Sequence, residues 1–548
     1  MINLILNNIK TAITKKIESF EIASADVPQI FFEIPKEESH GDYSINVAMR
    51  LAKPLRKSPI MIAKDLVEGL DLESLHLEKV EIAGAGFINF YLDRNYLANV
   101  VFKILEEKEN FAQQEPVNKK VLLEFVSANP TGYLHIGHGR GAAYGDSLAK
   151  IMRKAGYQVA TEHYVNDGGN QIHNLTLSIY ERYKELFGLQ AVLGDDSYHG
   201  KEIITIAEEI KEKYGDYYLK NDYYQTFRQI GLEYLLNGLK KDLADFNVVF
   251  DNWFSEKSLY DSGAVESTLK QLTNDGHTYE SENAIWLKTT EYNDEKDRVL
   301  VKSDGSYTYL MPDIAYHANK LSRGFDHLID VLGADHHGYI NRLKAAIAFV
   351  GGNPDLIDVD ILQMVRVIQD GVEVKMSKRS GKAITLRDLI DEVGSDALRY
   401  MYISKALSTH MDLDLDLAIK NSNDNPVYYV QYAYARIASL FGKVADRGLE
   451  FKPVDKFEKI SGESIGKIIT TLIQYPNYIK EAAEKRLPHK MCQYAYMLAT
   501  FLHSYYNDEK IISDDIQEMN EKLTLLKAVQ IVLKDALSLI GVNVKERM

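Results

Sequence analysis

The stretch Leu122–Tyr157, LLEFVSANPTGYLHIGHGRGAAYGDSLAKIMRKAGY, constrains the fold more than any other part of the chain. An apolar run, Val121 to Val126, stops at Ser-Ala-Asn-Pro-Thr-Gly, where Pro130 fixes a bend. A glycine-spaced segment with His135 and His138 follows. A helix then turns Ala142, Leu148, Ile151, Met152 and Ala155 inward and stops at Gly156, a C′ glycine. A strand that enters a helix through such a turn aims free backbone N–H groups beyond the sheet, where anions are favoured. Two imidazoles three residues apart there are able to face one phosphate. The expectation is a nucleotide site.

At 548 residues the chain is long enough for several domains, each with its own core. Hydrophobic content of 45% and charged content of 26% are those of a soluble protein. The lone cysteine, Cys492, excludes a disulfide framework and a multi-cysteine zinc site, and suits a reducing compartment. The start, MINLILNNIKTAITKK, is amphipathic, and no stretch approaches about 18 apolar residues. The expected compartment is the cytoplasm, with no membrane partner. A net charge of −15 argues against indiscriminate binding to polyanions but leaves room for local basic surface. Candidates are Lys53, Arg56 and Lys57; Lys375, Lys378, Arg379 and Lys382; and Lys485, Arg486 and Lys490. Taken one at a time, each cluster reads more often as a solvated face.

The pattern divides the chain into four parts. Residues 1–112 form a small α/β domain. FFEIP (Phe31–Pro35) precedes a helix-like run from Ser44 through Leu66, interrupted near Pro54 and Pro59, and Val80–Ile82 and Phe87–Tyr91 read as two strands around Gly84-Ala85-Gly86. The polar segment Gln113–Lys120 is a linker. Residues 118–370 alternate strands and helices, which implies a doubly wound parallel sheet with ligands at the carboxyl ends of its strands. Gln158–Val165 is its second strand, followed by the polar loop Asn166–Gln171. A mainly helical insertion covers about 172–295, and the sheet resumes with Tyr307–Leu310 and Asp326–Leu332. These end in the polar turns Met311–Asp313 and Gly333–Gly338.

Residues 371–420 connect this domain to the last one. Val365–Gln369 and Val372–Lys375 flank Asp370-Gly371, a two-residue hairpin signal. Lys375-Met376-Ser377-Lys378-Arg379 follows directly, with Gly381 supplying flexibility. Cations on such a loop suit a charge that develops during reaction, although an exposed basic turn is the bland alternative. Residues 421–548 are helical throughout. Asn425-Pro426 is an N-cap with proline at the first helical position, and Val427, Val430, Tyr434, Ile437 and Phe441 form a core-facing stripe. Tyr428, Gln431, Tyr432 and Arg436 lie off that stripe and suit either stacking on bases or contact with another domain. The last helix, about Asp515 to Ile540, buries Leu526, Val529, Leu533 and Leu537 and is closed by Gly541. Two motifs are decoys. Gly462–Ile468 imitates a phosphate-binding loop but has one residue too few between its glycines and Ile468 where a hydroxyl belongs. His336-His337 are neighbours, which seldom chelate one ion, so no metal-ligating residue is expected.

His135-Ile136-Gly137-His138, followed more than 200 positions later by Lys375-Met376-Ser377-Lys378, resembles the paired HIGH and KMSK signatures of class I aminoacyl-tRNA synthetases. Within that class SANPTGYLHIGHGRGAAYGD, YVNDGGNQI and GSDALRYMYIS resemble the arginyl-tRNA synthetases, over nearly the whole chain. The resemblance implies a Rossmann-like catalytic sheet, an N-terminal domain on the tRNA elbow and a helical anticodon-binding domain at the C-terminus. It implies that ATP, with Mg2+, activates L-arginine to arginyl-adenylate, and that the arginyl group passes to the terminal adenosine of the tRNA specific for arginine. His135, Gly137 and His138 are the implied ATP contacts, together with Lys375, Met376, Ser377 and Lys378 of the second signature, which this chain keeps whole. His135, His138, Lys375 and Lys378 are the catalytic set. Ser127 and Asn129 are implied for the backbone of arginine, Tyr309 and Asp313 for its side chain, Glu124 as the second acid, and His138 as a further contact. His337 is the expected contact where some members carry glutamine near the His336-His337 pair. Tyr428, Gln431, Tyr432 and Arg436 are expected on the tRNA, and the enzyme is expected to be a monomer. Two other readings are a small-molecule adenylyltransferase with an HxGH site, which would be indifferent to tRNA, and a non-catalytic RNA-binding relative, against which the intact signatures speak.

Overall fold

The computed structural model describes residues 1–20, 22, 27–35, 37–292, 294–376 and 384–548, without the side chains at 38 and 335–337. The places of Ser377, Lys378, Arg379, Lys382 and the rings of His336 and His337 therefore lie outside the described residues. Five parallel strands make the central sheet: β1 (Lys120–Glu124), β2 (Gln158–Val165), β3 (Asn252–Ser255), β4 (His327–Gly333) and β5 (Ile357–Leu362), in the order β5-β4-β1-β2-β3. Alternate residues serve the two faces, as the pleat requires. Val121, Leu123 and Ile329 pack beneath the Ile136–Lys154 helix in the main core, while Leu122, Leu328 and Ile357 pack with Leu343 and Ile347 on the opposite face. The strand order reverses between β1 and β4. In a doubly wound sheet that crevice is where ligands bind.

The helical insertion ends sooner than its composition suggests. Helices Gly169–Glu185, Lys201–Tyr214 and Tyr224–Asp245 share their own core around Ile179, Ile206 and Phe227. Asn252–Ser255 is then the edge strand β3, and residues 278–301 form a separate three-stranded antiparallel sheet. Four-residue strands are too short to show a period, and the tight turn of that sheet uses Glu282-Asn283, both at positive φ, rather than a glycine pair. Tyr307–Leu310 is not a strand of the parallel sheet. Only Tyr307 makes a bridge, to Val301, and a helix spans Leu310–Ser322. The alternating aromatic run Tyr307-Thr308-Tyr309 imitates a strand, but Leu310, Met311, Ile314 and Ala315 are buried at helical spacing. The turn Met311-Pro312-Asp313 is thus the first turn of that helix. The hairpin at Asp370-Gly371 forms with both residues at positive φ (53° and 74°), as a type I′ turn requires.

The N-terminal domain packs an isoleucine stripe, Ile2, Ile5, Ile9, Ile13 and Ile17, against two short helices and an antiparallel three-stranded sheet. Its expected helical run begins instead as the strand Tyr43–Ile45; Pro54 falls in the last turn of helix Val47–Leu55, and Pro59 opens helix Pro59–Val67. The next helix, Arg94–Glu107, packs against the C-terminal helices Glu463–Glu484 and Ile516–Leu539, with Phe102 edge-on to Phe457 at 5.2 Å. The Gly462–Ile468 decoy is simply the start of the first of these helices.

One buried guanidinium joins the parts. Arg399 donates to Asp146 Oδ2 at 2.5 Å and Ser147 Oγ at 3.2 Å on the Ile136–Lys154 helix, to the carbonyl of Phe246 at 2.9 Å, and to that of Ile540 at 2.8 Å. Gly541, at φ +68°, leaves the room: a Cβ there would lie 2.3 Å from the guanidinium. Arg399→Met should destabilise the enzyme by about 3–5 kcal/mol, because the carbonyls of Phe246 and Ile540 would lose their buried donor and Asp146 would keep only Lys150, at 2.7 Å. Gly541→Ala should also lower the thermal unfolding midpoint; midpoints equal to wild type would show that this joint does not matter.

Candidate active site

His135 and His138 do not sit in a loop ahead of the helix. The helix starts at Ile136, and His135 is its N-cap. The N–H groups of Gly137 and His138 donate to His135 Nδ1 at 3.1 and 3.4 Å, and the N–H of His135 donates to His138 Nδ1 at 3.3 Å. The two rings stack at 3.6 Å. This is a reciprocal capping box built from imidazoles. The backbone donors expected to meet an anion are therefore occupied in part, because Nδ1 is an acceptor at the right reach. Each ring accepts at Nδ1, so a neutral ring carries its proton on Nε2. Burial lowers the pKa of both, and His135 and His163 help depress His138 to about 3. The site thus presents two neutral Nε2–H donors. Gly139 lets this turn pack closely: a Cβ there would lie 2.8 Å from Leu386, and the neighbouring Tyr402 hydroxyl donates to the Ile136 carbonyl at 3.0 Å.

The first signature is bridged through the backbone to the start of the helix at Leu386. His135 and Thr385 form an antiparallel bridge, and the N–H of Leu386 donates to the carbonyl of Leu134 at 2.7 Å. Thr385 also caps helix Leu386–Val393 in a box with Asp388. The chain that follows the lysine segment is therefore fixed beside His135. At the start of that segment, Lys375 is exposed with its Nζ 3.9 Å from Glu373, and Met376 is exposed.

At the end of β1 a tight turn centres on Val126, with Ser127 N–H donating to the Phe125 carbonyl at 2.9 Å. Val126 and Ser127 have φ of 69° and 39°, rare for non-glycine residues and rarer for a β-branched one. The turn directs Ser127 Oγ onto Glu124 at 2.7 Å, and Tyr164 N–H donates to the same Oγ at 3.2 Å. Asn129 is exposed beyond it.

A cavity of about 800 Å³ opens at the carboxyl ends of β2 and β3, lined by the Asn166–His173 loop, Glu256, Tyr260, Lys302 and Tyr309. Tyr309 is 76% exposed there, and Asp313 lies one turn further along the same helix. Glu256 is buried and accepts from the Tyr164 hydroxyl at 2.8 Å. Burial, with the nearby Asp167 and Asp313 carboxylates, holds its pKa above the ordinary value. Glu124, by contrast, is ion-paired with Lys320 at 2.5 Å. Asp313 accepts from Tyr339 and lies 3.3 Å from His317. Burial opposes its charge, but the His317 ring and the Tyr339 hydroxyl bring its pKa below the usual value.

Sequence reading missed Glu256, because its only signal is an acid just after a strand, and β3 was not legible as one. His317 and Lys320 were missed as well, although a signal was there: Asp313, His317 and Lys320 at spacings of four and three share one helix face. In the C-terminal domain Tyr428 stacks on Tyr432 at 5.9 Å, and Arg436 lies over Tyr432 and Tyr506 at 5.6 and 3.9 Å. Gln431 departs from the expected exposed set. It is 2% exposed and donates to Asp396 at 3.2 Å and to the Asn543 carbonyl at 2.7 Å, because its place, one after Val430 and four after Val427, turns it into the core. Among the described residues no group of three His, Cys, Asp or Glu is placed to hold a metal, and no helix is long and apolar enough to cross a membrane.

A doubly wound parallel sheet with an HxGH helix cap after its first strand, bridged through the backbone to Thr385, in a chain that also carries the lysine signature in its sequence, defines a class I aminoacyl-tRNA synthetase. Residues 100–412 match the family profile of the class I (R) tRNA synthetase catalytic domain, residues 7–92 that of the arginyl-tRNA synthetase N-terminal domain, and residues 430–548 that of the DALR anticodon-binding domain. The chain is 48% identical over 527 residues to arginine–tRNA ligase 1 of Halalkalibacterium halodurans (95% of each chain), and 48% identical over 529 residues to the arginine–tRNA ligase of Bacillus subtilis (96% of this chain, 95% of that one). The arginyl-tRNA synthetase structure from Thermus thermophilus shares the fold, with a TM-score of 0.69 over 99% of this chain and 100% of that one at 20% identity. The chain belongs to the arginyl-tRNA synthetase family.

Folding takes the pKa of His138 from 6.5 to about 3. Its neutral ring thus contributes stability that is complete above pH 6.5 and is lost as the pH falls toward 3. The difference in thermal midpoint between wild type and His138→Asn should therefore shrink on going from pH 7 to pH 4; a constant difference would contradict the assigned protonation state.

Proposed function

We infer that this enzyme joins L-arginine to its tRNA in two steps. The arginine carboxylate attacks the α-phosphorus of ATP, forming arginyl-adenylate as the bond to pyrophosphate breaks. The 2′-hydroxyl of the terminal tRNA adenosine then takes the arginyl group and AMP leaves. Neither step needs a protein nucleophile, so the protein's contribution is positioning and charge stabilisation. The observation that carries this reading is the pairing of two neutral imidazole donors after β1 with an acid-lined cavity after β2 and β3.

The Nε2–H groups of His135 and His138 donate to phosphate oxygens, with Gly137 keeping the turn close. Lys375 and, from the sequence, Met376, Ser377 and Lys378 close over the phosphates and stabilise the leaving pyrophosphate. Mg2+ arrives with ATP as part of the substrate and shares that charge. Ser127, Asn129 and Glu124 hold the amino-acid end of arginine, near His138. Its guanidinium is a planar fork that demands carboxylates, and here Asp313 and Glu256 supply them beside Tyr309. Glu256 replaces Glu124 as the second acid, because Glu124 already has Lys320 as its cation. His337 remains a further candidate contact. Tyr428, Tyr432 and Arg436 offer an aromatic and cationic face to splayed tRNA bases, with Gln431 supporting it from within. The whole proposed site comes from one chain, which supports a monomer, and the cytoplasm is the compartment that supplies its substrates.

The direct test is arginine-dependent ATP–pyrophosphate exchange with cognate tRNA present. Activity with another amino acid and none with arginine would sink the assignment, and indifference to tRNA would favour the adenylyltransferase alternative. Asp313→Asn and Glu256→Gln should each raise the KM for arginine at least about tenfold, the cost of losing a charge-assisted hydrogen bond, and leave the KM for ATP nearly unchanged.

A further inference from the structure

Beneath the cavity runs a buried line of alternating charges that the two-step reaction does not itself require. Glu124 pairs with Lys320 at 2.5 Å, Lys320 with Asp330 at 2.8 Å, Asp330 with His317 Nε2 at 3.0 Å, and His317 Nδ1 lies 3.3 Å from Asp313 Oδ1. The members come from the end of β1, from one face of helix Leu310–Ser322 and from β4, so the line crosses the point where the strand order reverses.

We infer that His317 is a positioning residue for arginine recognition: held from below by Asp330, its ring fixes the Asp313 carboxylate in the orientation that receives the guanidinium. Both ring nitrogens face acceptors. Nε2 faces the Asp330 carboxylate, while Nδ1 faces the Asp313 carboxylate and, at 2.8 Å, the Asp313 backbone carbonyl. The ring side chain is only 3% exposed, so water cannot replace these partners. The groups around it are Asp313, Asp330, Lys320, whose Nζ lies 3.4 Å from Nε2, and Tyr316, at 5.5 Å between ring centres. Burial and Lys320 favour the neutral ring, yet the two carboxylates prevail and raise its pKa to about 9. Tyr339 holds the other oxygen of Asp313. Asp313 therefore has little freedom left, which is what a bidentate contact needs.

Asp313 is also the member of the line that lies one turn from Tyr309 at the cavity, which makes it the end of the row that meets a ligand.

This inference rests on the reading of Asp313 as a guanidinium acceptor, and a double-mutant cycle separates the two. The full-length enzyme with cognate tRNA is assayed as wild type, His317→Gln, Asp313→Asn and the double variant, with KM for arginine, KM for ATP and kcat read separately. His317→Gln should raise the KM for arginine about tenfold or more, with kcat and the KM for ATP changed less than about threefold. The double variant should be no worse than Asp313→Asn alone, because His317 acts through that carboxylate. An unchanged arginine KM in His317→Gln, or additive effects in the double variant, overturns the inference. An unchanged arginine KM in Asp313→Asn overturns the underlying reading instead. If His317→Gln does not fold, Asp330→Asn takes its place: the same selective rise in arginine KM supports the inference, and equal effects on both substrates overturn it.

Discussion

The Arg399 guanidinium is the interaction on which the arrangement depends. It is fully buried, and its donors reach the catalytic helix, the end of the insertion and the last residues of the C-terminal helix at once. A buried charge of this kind is costly unless every donor is matched, and its partners are spread over sequence separations of more than 140 residues. It therefore specifies a single mutual placement of three regions that apolar packing alone would let slide. Around it runs one apolar core extending from the N-terminal isoleucine stripe through the catalytic helix to the C-terminal bundle.

Charge and neutrality are divided at the carboxyl ends of the sheet. After β1 the two histidines cap one another and stay uncharged, so their donor strength does not vary across the physiological pH range. Between β1 and β4, Asp313, His317, Asp330 and Lys320 are paired in a row of alternating charge. A neutral donor tolerates the changing charge of phosphates during transfer, whereas a fixed cationic substrate is best met by fixed anions.

Much of this is legible in the amino-acid sequence alone. The strand–turn–helix around His135 and His138, the Asp370-Gly371 hairpin, the Asn425-Pro426 helix start and the Gly541 stop all follow from local chemistry. Such features depend on a few neighbouring residues, and the structure retains them. What escapes depends on distant partners. β3 is four residues long and owes its existence to pairing with β2; without it Glu256 has no visible reason to matter. Tyr307–Leu310 alternates like a strand, yet burial of Met311 and Ile314 makes the next residues helical. Gln431 looks polar and external, and only the arrival of Asn543 and Asp396 gives its amide a place inside.

The Arg94–Glu107 helix has a consequence for how the chain is made. Its apolar residues Leu97, Val100, Val101 and Ile104 are buried, in part against helices that begin roughly 350 residues later. At about 5–20 residues per second of synthesis, that surface waits on the order of 20–70 s for its permanent cover. During that interval the nascent chain carries an apolar helix face whose partners have not yet been made. The step that completes this packing is the late docking of the carboxyl-terminal helices onto a segment made near the beginning.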